Sequence, residues 1–158
     1  MASNVKWSDV ATSDVAIAGT SLNAIASGTS AANFVLGNII NNVPATMGAL
    51  YGDFELNLSS AVTAGAGAPF LAVYLIPSLD GTNYATTNGG ITAGPTSPNY
   101  LAGSILVPAS VAVKVLLLRG IILPPSNFKL MINNQLGVAL PAVNTNSARL
   151  YRYGEQAV

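Results

Sequence analysis

Apolar residues dominate one stretch of the chain, Val111 to Asn134, and the rest is arranged around it. Val111, Val113, Val115, Leu117 and Arg119 fall on one side of an extended chain, and Ala112, Lys114, Leu116 and Leu118 on the other. With both sides largely apolar, the spacing predicts a strand buried on two faces. Gly120 interrupts the run as at a bulge, and Ile121 to Leu123 resume it. Pro124-Pro125 then ends any ladder, because neither residue has an N–H to donate, and Ser126-Asn127 supplies turn chemistry. Phe128, Leu130 and Ile132 alternate with Lys129, Met131 and Asn133, which predicts a half-buried strand returning beside the first. A helix is disfavoured, since β-branched and aromatic residues dominate and no N-cap precedes an apolar stripe at helical spacing. Two long antiparallel strands form the expected spine.

Upstream, Leu22 to Ala26 and Phe34 to Ile40 read as short strands separated by Ser27-Gly28-Thr29-Ser30. The cleanest alternation follows: Leu50, Gly52, Phe54, Leu56 and Leu58 face one way, and Tyr51, Asp53, Glu55 and Asn57 the other. That is a strand with one wet side. Phe70 to Ile76 is a continuous apolar strand, Asp80-Gly81 a turn centre, and Thr86 to Tyr100 a long polar loop of the kind that is often functional. Leu101 to Val107, Gly137 to Leu140 and Ala148 to Tyr153 complete the set. The fold class expected is all-β, an antiparallel β-sandwich or jelly roll. Residues 1–20, small and polar with isolated apolar positions, read as an extended N-terminal arm, and 21–158 as one domain.

Charge changes the picture. Six positive and six negative residues make only 8% of the chain, against about 25% in ordinary proteins. A neutral, charge-poor surface invites association. It also argues against nucleic acid as a partner, which demands clustered Lys and Arg; here only Arg149 and Arg152 are close in sequence. The absence of Cys and His removes thiolate nucleophiles, zinc–thiolate sites, the usual general base and the commonest transition-metal ligand. No cofactor, metal or catalytic role is expected. Met1 to Asp14 has no apolar core of a signal peptide. Lys114, Arg119 and Pro124 break the only apolar run that approaches membrane-helix length, so no membrane partner is expected.

The remaining candidate chemistry is sparse. Asp53 and Glu55 share a strand face and could in principle serve glycoside hydrolysis, but they serve equally well as solvating residues. Asp80, Thr82 and Asn83 could offer oxygens to calcium, yet the segment is an ordinary turn with too few carboxylates. Gly65, Gly67, Gly89 and Gly90 lack the Lys-Ser/Thr of a phosphate loop. The Asn57-Leu58-Ser59 sequon lies in a strand. More is expected of contact residues. Trp7, the only tryptophan, is a candidate plug into a neighbour. Arg149, Tyr151, Arg152 and Tyr153 combine the two residue types enriched at interface hot spots, although an edge strand with a snorkelling Arg would look the same. Tyr84 and Tyr100, which flank the long loop, join this set.

Four segments carry a resemblance. They are Tyr51-Gly52-Asp53-Phe54-Glu55-Leu56-Asn57-Leu58, Ala72 to Tyr84 around Asp80-Gly81, Leu123-Pro124-Pro125-Ser126-Asn127-Phe128-Lys129, and Asn133 to Leu140. With the closing Leu150-Tyr151-Arg152-Tyr153, the series resembles the capsid decoration, or cement, proteins of tailed bacteriophages. The similarity covers roughly Tyr51 to Tyr153. It implies a jelly roll on the outer surface of the virion, contacting the major capsid protein and itself as a homo-dimer or homo-trimer, with contacts from residues 1–20 and the Thr86–Tyr100 loop. Two other readings stand beside it: another virion part, such as a tail or head-completion protein, and a jelly-roll carbohydrate-binding module whose exposed tyrosines stack on sugars.

Overall fold

The structure, a computed structural model, describes residues 5–7, 12–28, 34–43, 48–84, 100–142 and 145–157. Ten strands follow one another: β1 (Val5–Trp7), β2 (Thr12–Ile17), β3 (Phe34–Ile40), β4 (Tyr51–Thr63), β5 (Phe70–Ser78), β6 (Leu101–Leu106), β7 (Ala112–Ile122), β8 (Asn127–Gln135), β9 (Ser147–Tyr153) and β10 (Glu155–Ala157). A 3-10 turn, Gly19–Leu22, lies between β2 and β3.

The pairing has one rule. β1 pairs with β10, β2 with β9, β3 with β8, β4 with β7 and β5 with β6, all antiparallel. The chain is thus one nested ribbon whose two halves run side by side. Rolling that ribbon adds the lateral pairs β4–β9 and β5–β8 and divides the eight middle strands into sheets ordered β2-β9-β4-β7 and β3-β8-β5-β6. This is the all-β sandwich expected, in the strand order of a jelly roll.

Alternation fills the space between the sheets. Phe54, Leu56 and Leu58 from β4 and Leu150 from β9 meet Leu71 and Val73 from β5 and Phe128, Leu130 and Ile132 from β8, all buried. Three fully or nearly buried asparagines close the ends of the sandwich, where loop backbone would otherwise be left unpaired. Asn134 donates to the Ile25 and Val138 carbonyls and accepts from the Leu136 N–H. Asn146 bonds to Pro141 and Ser59 at the same end. Asn42 joins Ala49 to Pro124 at the other.

Several expectations need correction. The spine is not a hairpin: β7 lies in one sheet and β8 in the other, because Leu123-Pro124-Pro125 carries the chain across the sandwich. The burial is also reversed. β7 is an edge strand with only Leu116 and Ile121 buried, whereas β8, between β3 and β5, is buried on both faces from Leu130 to Asn134. Leu22 to Ala26 forms no strand; Leu22 and Ile25 are buried, but Ala24 takes a positive φ of 52° that interrupts any ladder. Within the span 1–20 expected as an extended arm, β2 is a strand of the first sheet and Ala16 and Ile17 belong to the core. The bend expected at Gly120 is present. Leu118 pairs with Phe54 and Ile121 with Gly52, so β7 carries an extra residue there, and Gly120 has φ +68°.

Candidate interaction surface

The outer face of the β2-β9-β4-β7 sheet collects three of the expected contact residues. Side chains on β9 alternate, so Ala148 and Leu150 enter the core while Arg149, Tyr151 and Tyr153 point outward, half-buried. Strand register sets their neighbours. Arg149 lies opposite Val15 on β2 and Glu55 on β4, Tyr151 opposite Asp53, and Tyr153 opposite Tyr51. The Tyr51 and Tyr153 rings stack with centroids 6.0 Å apart and planes 23° apart.

Asp53 organises this face. Its Oδ1 accepts the Gly120 N–H at 2.9 Å and the Tyr153 hydroxyl at 3.1 Å, so one carboxylate joins β4, β7 and β9 and satisfies the amide that the bulge exposes. Burial, the hydrogen bond to Asp53 and the charge of that carboxylate push the Tyr153 hydroxyl above its ordinary value. Asp53 therefore holds backbone and ring in place. Along the border of the face, β7 adds the exposed aliphatic side chains of Val115, Leu117 and Ile122. Tyrosine, Arg149 in register with Glu55, and exposed aliphatics on one sheet face are the chemistry of a contact with another macromolecule.

Arg152 does not belong to it, which corrects its expected contact role. It occupies the opposite phase of β9, is 6% exposed, and its Nε lies 2.5 Å from Asp14 Oδ2 on β2. Its Nη1 donates to the Asn41 carbonyl at 2.7 Å and to Asn42 Oδ1 at 3.3 Å. It ties β2 and β9 to the turn after β3. Asp14 and Asn42 were not singled out from the sequence, although Arg152 follows Ala148 and Leu150 in strict alternation, and that phase marks it as inward.

Tyr84 and Tyr100 lie on the far side, over the outer face of the β3-β8-β5-β6 sheet. Tyr84 packs with the buried Ile76 and Met131, and Tyr100, Tyr74, Phe34 and Leu36 surround them. The Tyr84 hydroxyl donates to the Gly81 carbonyl, and the Lys129 ammonium sits 4.3 Å from its ring centroid. Tyr84 is therefore a packing residue first. Beside it, the Asp80 carboxylate accepts from the Thr82 and Asn83 N–H groups, the Ser78 hydroxyl and the Asn83 amide. Those bonds hold its pKa well below the usual carboxylate range. The turn thus engages both Asp80 carboxylate oxygens in its own hydrogen bonds, and it presents Leu79 at 96% exposure. Nearby, an apolar groove of about 390 Å³ lies between Leu75, Pro77, Tyr100, Leu101, Ile122 and Pro124. Trp7 pairs with Glu155 in the β1–β10 ribbon; its side chain, and the 86–99 loop, lie outside the described residues. Among the described residues, no three acidic, His or Cys side chains group as metal ligands, and no helix is long and apolar enough to cross a membrane.

Comparison with known proteins found no matching family model, and no match among curated proteins or solved structures.

Proposed function

We propose that this protein is a capsid decoration protein, which binds the outer surface of a tailed-phage head and stabilises the lattice of the major capsid protein. The observation that carries the reading is the outer face of the β2-β9-β4-β7 sheet. Tyr51, Tyr151 and Tyr153 lie there beside the exposed Val115, Leu117 and Ile122, on a chain with twelve charged residues in 158. An isolated monomer gains nothing from such a face; a subunit packed against a shell does. The segments that resemble cement proteins support the same reading. They correspond to the wet-faced half of β4, to β5 with its Asp80 tip, to the Pro-Pro crossover and to the end of β8.

The protein acts by linkage and performs no chemistry. Binding only the mature lattice stabilises that lattice by mass action, and weak contacts repeated over the shell add up. Self-association as a dimer or trimer would multiply them further. The test is co-sedimentation of the purified protein with capsids stripped of it, with isolated tails as control. Saturable binding to heads in many copies per shell, with a raised rupture temperature, is the expected result. Binding to tails alone would make the chain a tail or head-completion protein.

A second reading, a carbohydrate-binding module, rests on the Tyr51–Tyr153 stack. It requires that glycan titration perturb tyrosine fluorescence and that Tyr51→Ala abolish the response.

A further inference from the structure

Six tyrosines occur in the chain, and strand register brings two of them together. Tyr51 on β4 and Tyr153 on β9 are directly opposed in the ladder, and both are half-buried. Their rings stack with centroids 6.0 Å apart, an offset that sets the edge of one ring against the other. Tyr74, Tyr84 and Tyr100 lie on the opposite sheet, and Tyr151 lies against Asp53. The Tyr51–Tyr153 pair also has a base beside it. Asp53 Oδ1 accepts the Tyr153 hydroxyl at 3.1 Å and is itself anchored by the Gly120 N–H at 2.9 Å.

A phenol that loses an electron becomes a strong acid. A carboxylate already within hydrogen-bond reach takes its proton and leaves a neutral phenoxyl radical. What the ladder holds against the Tyr153 radical is a second phenol. We infer that Tyr51 and Tyr153 form an oxidative modification site, at which a one-electron oxidant couples the two rings into dityrosine and so joins β4 covalently to β9. Each phenol gives one electron to the oxidant and one proton to the solvent, that of Tyr153 by way of Asp53. The two radicals form a bond between the ring carbons next to their oxygens. Each of those carbons then passes its hydrogen, as a proton, to the adjacent oxygen, which restores both phenols. The product is lighter by two hydrogens. Exposed side chains reorient within picoseconds to nanoseconds, so the rings can turn edge to edge while the ladder keeps them in reach. The link closes the chain between 51 and 153 and restricts the unfolded state, as a cross-link across a long loop does. None of this chemistry depends on what the sheet face binds.

The test uses ruthenium tris-bipyridine, which light and persulfate oxidise and which then takes one electron from each phenol. Dityrosine fluorescence should rise. Trypsin cuts after Arg152 and so separates Tyr153 from Tyr151; the main product in the digest should be a peptide pair joined through Tyr51 and Tyr153. Tyr51→Phe keeps the ring and its stack but lacks the hydroxyl, and it should lose that product. Asp53→Asn keeps an oxygen for the Gly120 N–H. It should slow the coupling by about tenfold or more, and rising buffer base should restore the rate, which a purely structural part for Asp53 would not allow. The cross-linked protein should unfold at a higher urea concentration than the untreated one. An unchanged rate in Asp53→Asn would strike Asp53 from the proton step. The proposal is overturned if oxidation leaves Tyr51 and Tyr153 unjoined, joins them no more often than other tyrosine pairs, or gives the same products from the urea-unfolded chain.

Discussion

β7 and β8 are neighbours in sequence, joined by four residues, and β7 is the more apolar, with eight apolar residues of eleven against four of nine, yet β8 is the one buried. β8 sits between β3 and β5, its inner residues Phe128, Leu130 and Ile132 in the core and its outer Met131 beneath Tyr84. Among the described residues β7 pairs with β4 on one side only, and Val115, Leu117 and Ile122 remain 43–76% exposed. Position in the sheet, rather than the hydrophobicity of the segment, decides which one is buried in the core and which one keeps its aliphatic side chains exposed.

The sharpest way to break that contrast is matched truncation. Leu130→Ala in β8 should cost about 3–5 kcal/mol in chemical unfolding, the range for a large buried side chain that leaves a cavity. Leu117→Ala in β7 should stay within about 0.5 kcal/mol, as surface changes do, while weakening capsid binding. Comparable losses from the two would abolish the distinction. Next in size, Arg152→Met removes the ion pair of Asp14 and one hydrogen bond to the Asn41 carbonyl. Removing one partner of a buried pair costs about 3–5 kcal/mol; with Asp14 29% exposed, about 2–3 kcal/mol is expected, and the Arg152→Met/Asp14→Leu pair should recover much of it. Gly120→Ala meets no atom within 4 Å of the new Cβ, so only the left-handed backbone opposes it, at about 1 kcal/mol.

The smallest expected effect is one of pH. The folded Asp80 pKa is depressed, so its contribution is full above the ordinary carboxylate value and is lost as pH falls below that value towards the folded one. The Asp80 tip should therefore loosen in acid, seen as faster exchange of the Thr82 and Asn83 amides. Asp80→Asn should show that loosening already at neutral pH.

Much of the scaffold was legible because alternation is local. β3 occupies the expected Phe34–Ile40, β4 buries Phe54, Leu56 and Leu58 in the phase expected, and the glycine at 120 marks a true bulge. Partnership was not legible. Two apolar runs separated by a turn look like a hairpin, and nothing in Val113 to Leu118 says that its neighbour will be β4, about sixty residues earlier in the chain. The clue lay in Pro124-Pro125, which cannot supply the ladder bonds of a tight return. Of the proposed contact face, the alternation of β9 already placed Arg149, Tyr151 and Tyr153 on one side of the strand. Arg152 was misassigned because residue type was weighed above its phase along β9. The buried asparagines escaped altogether: their partners Ile25, Pro124 and Pro141 are backbone carbonyls that only the folded chain brings near.

The most direct measurement is hydrogen exchange of the protein free and bound to stripped capsids, compared strand by strand. β8 should be strongly protected in both states, and β7, fast in the free protein, should become protected on binding together with the outer residues of β9. Saturating binding that leaves β7 and β9 exchange unchanged, with protection appearing elsewhere, would contradict the assignment of this face as the contact surface.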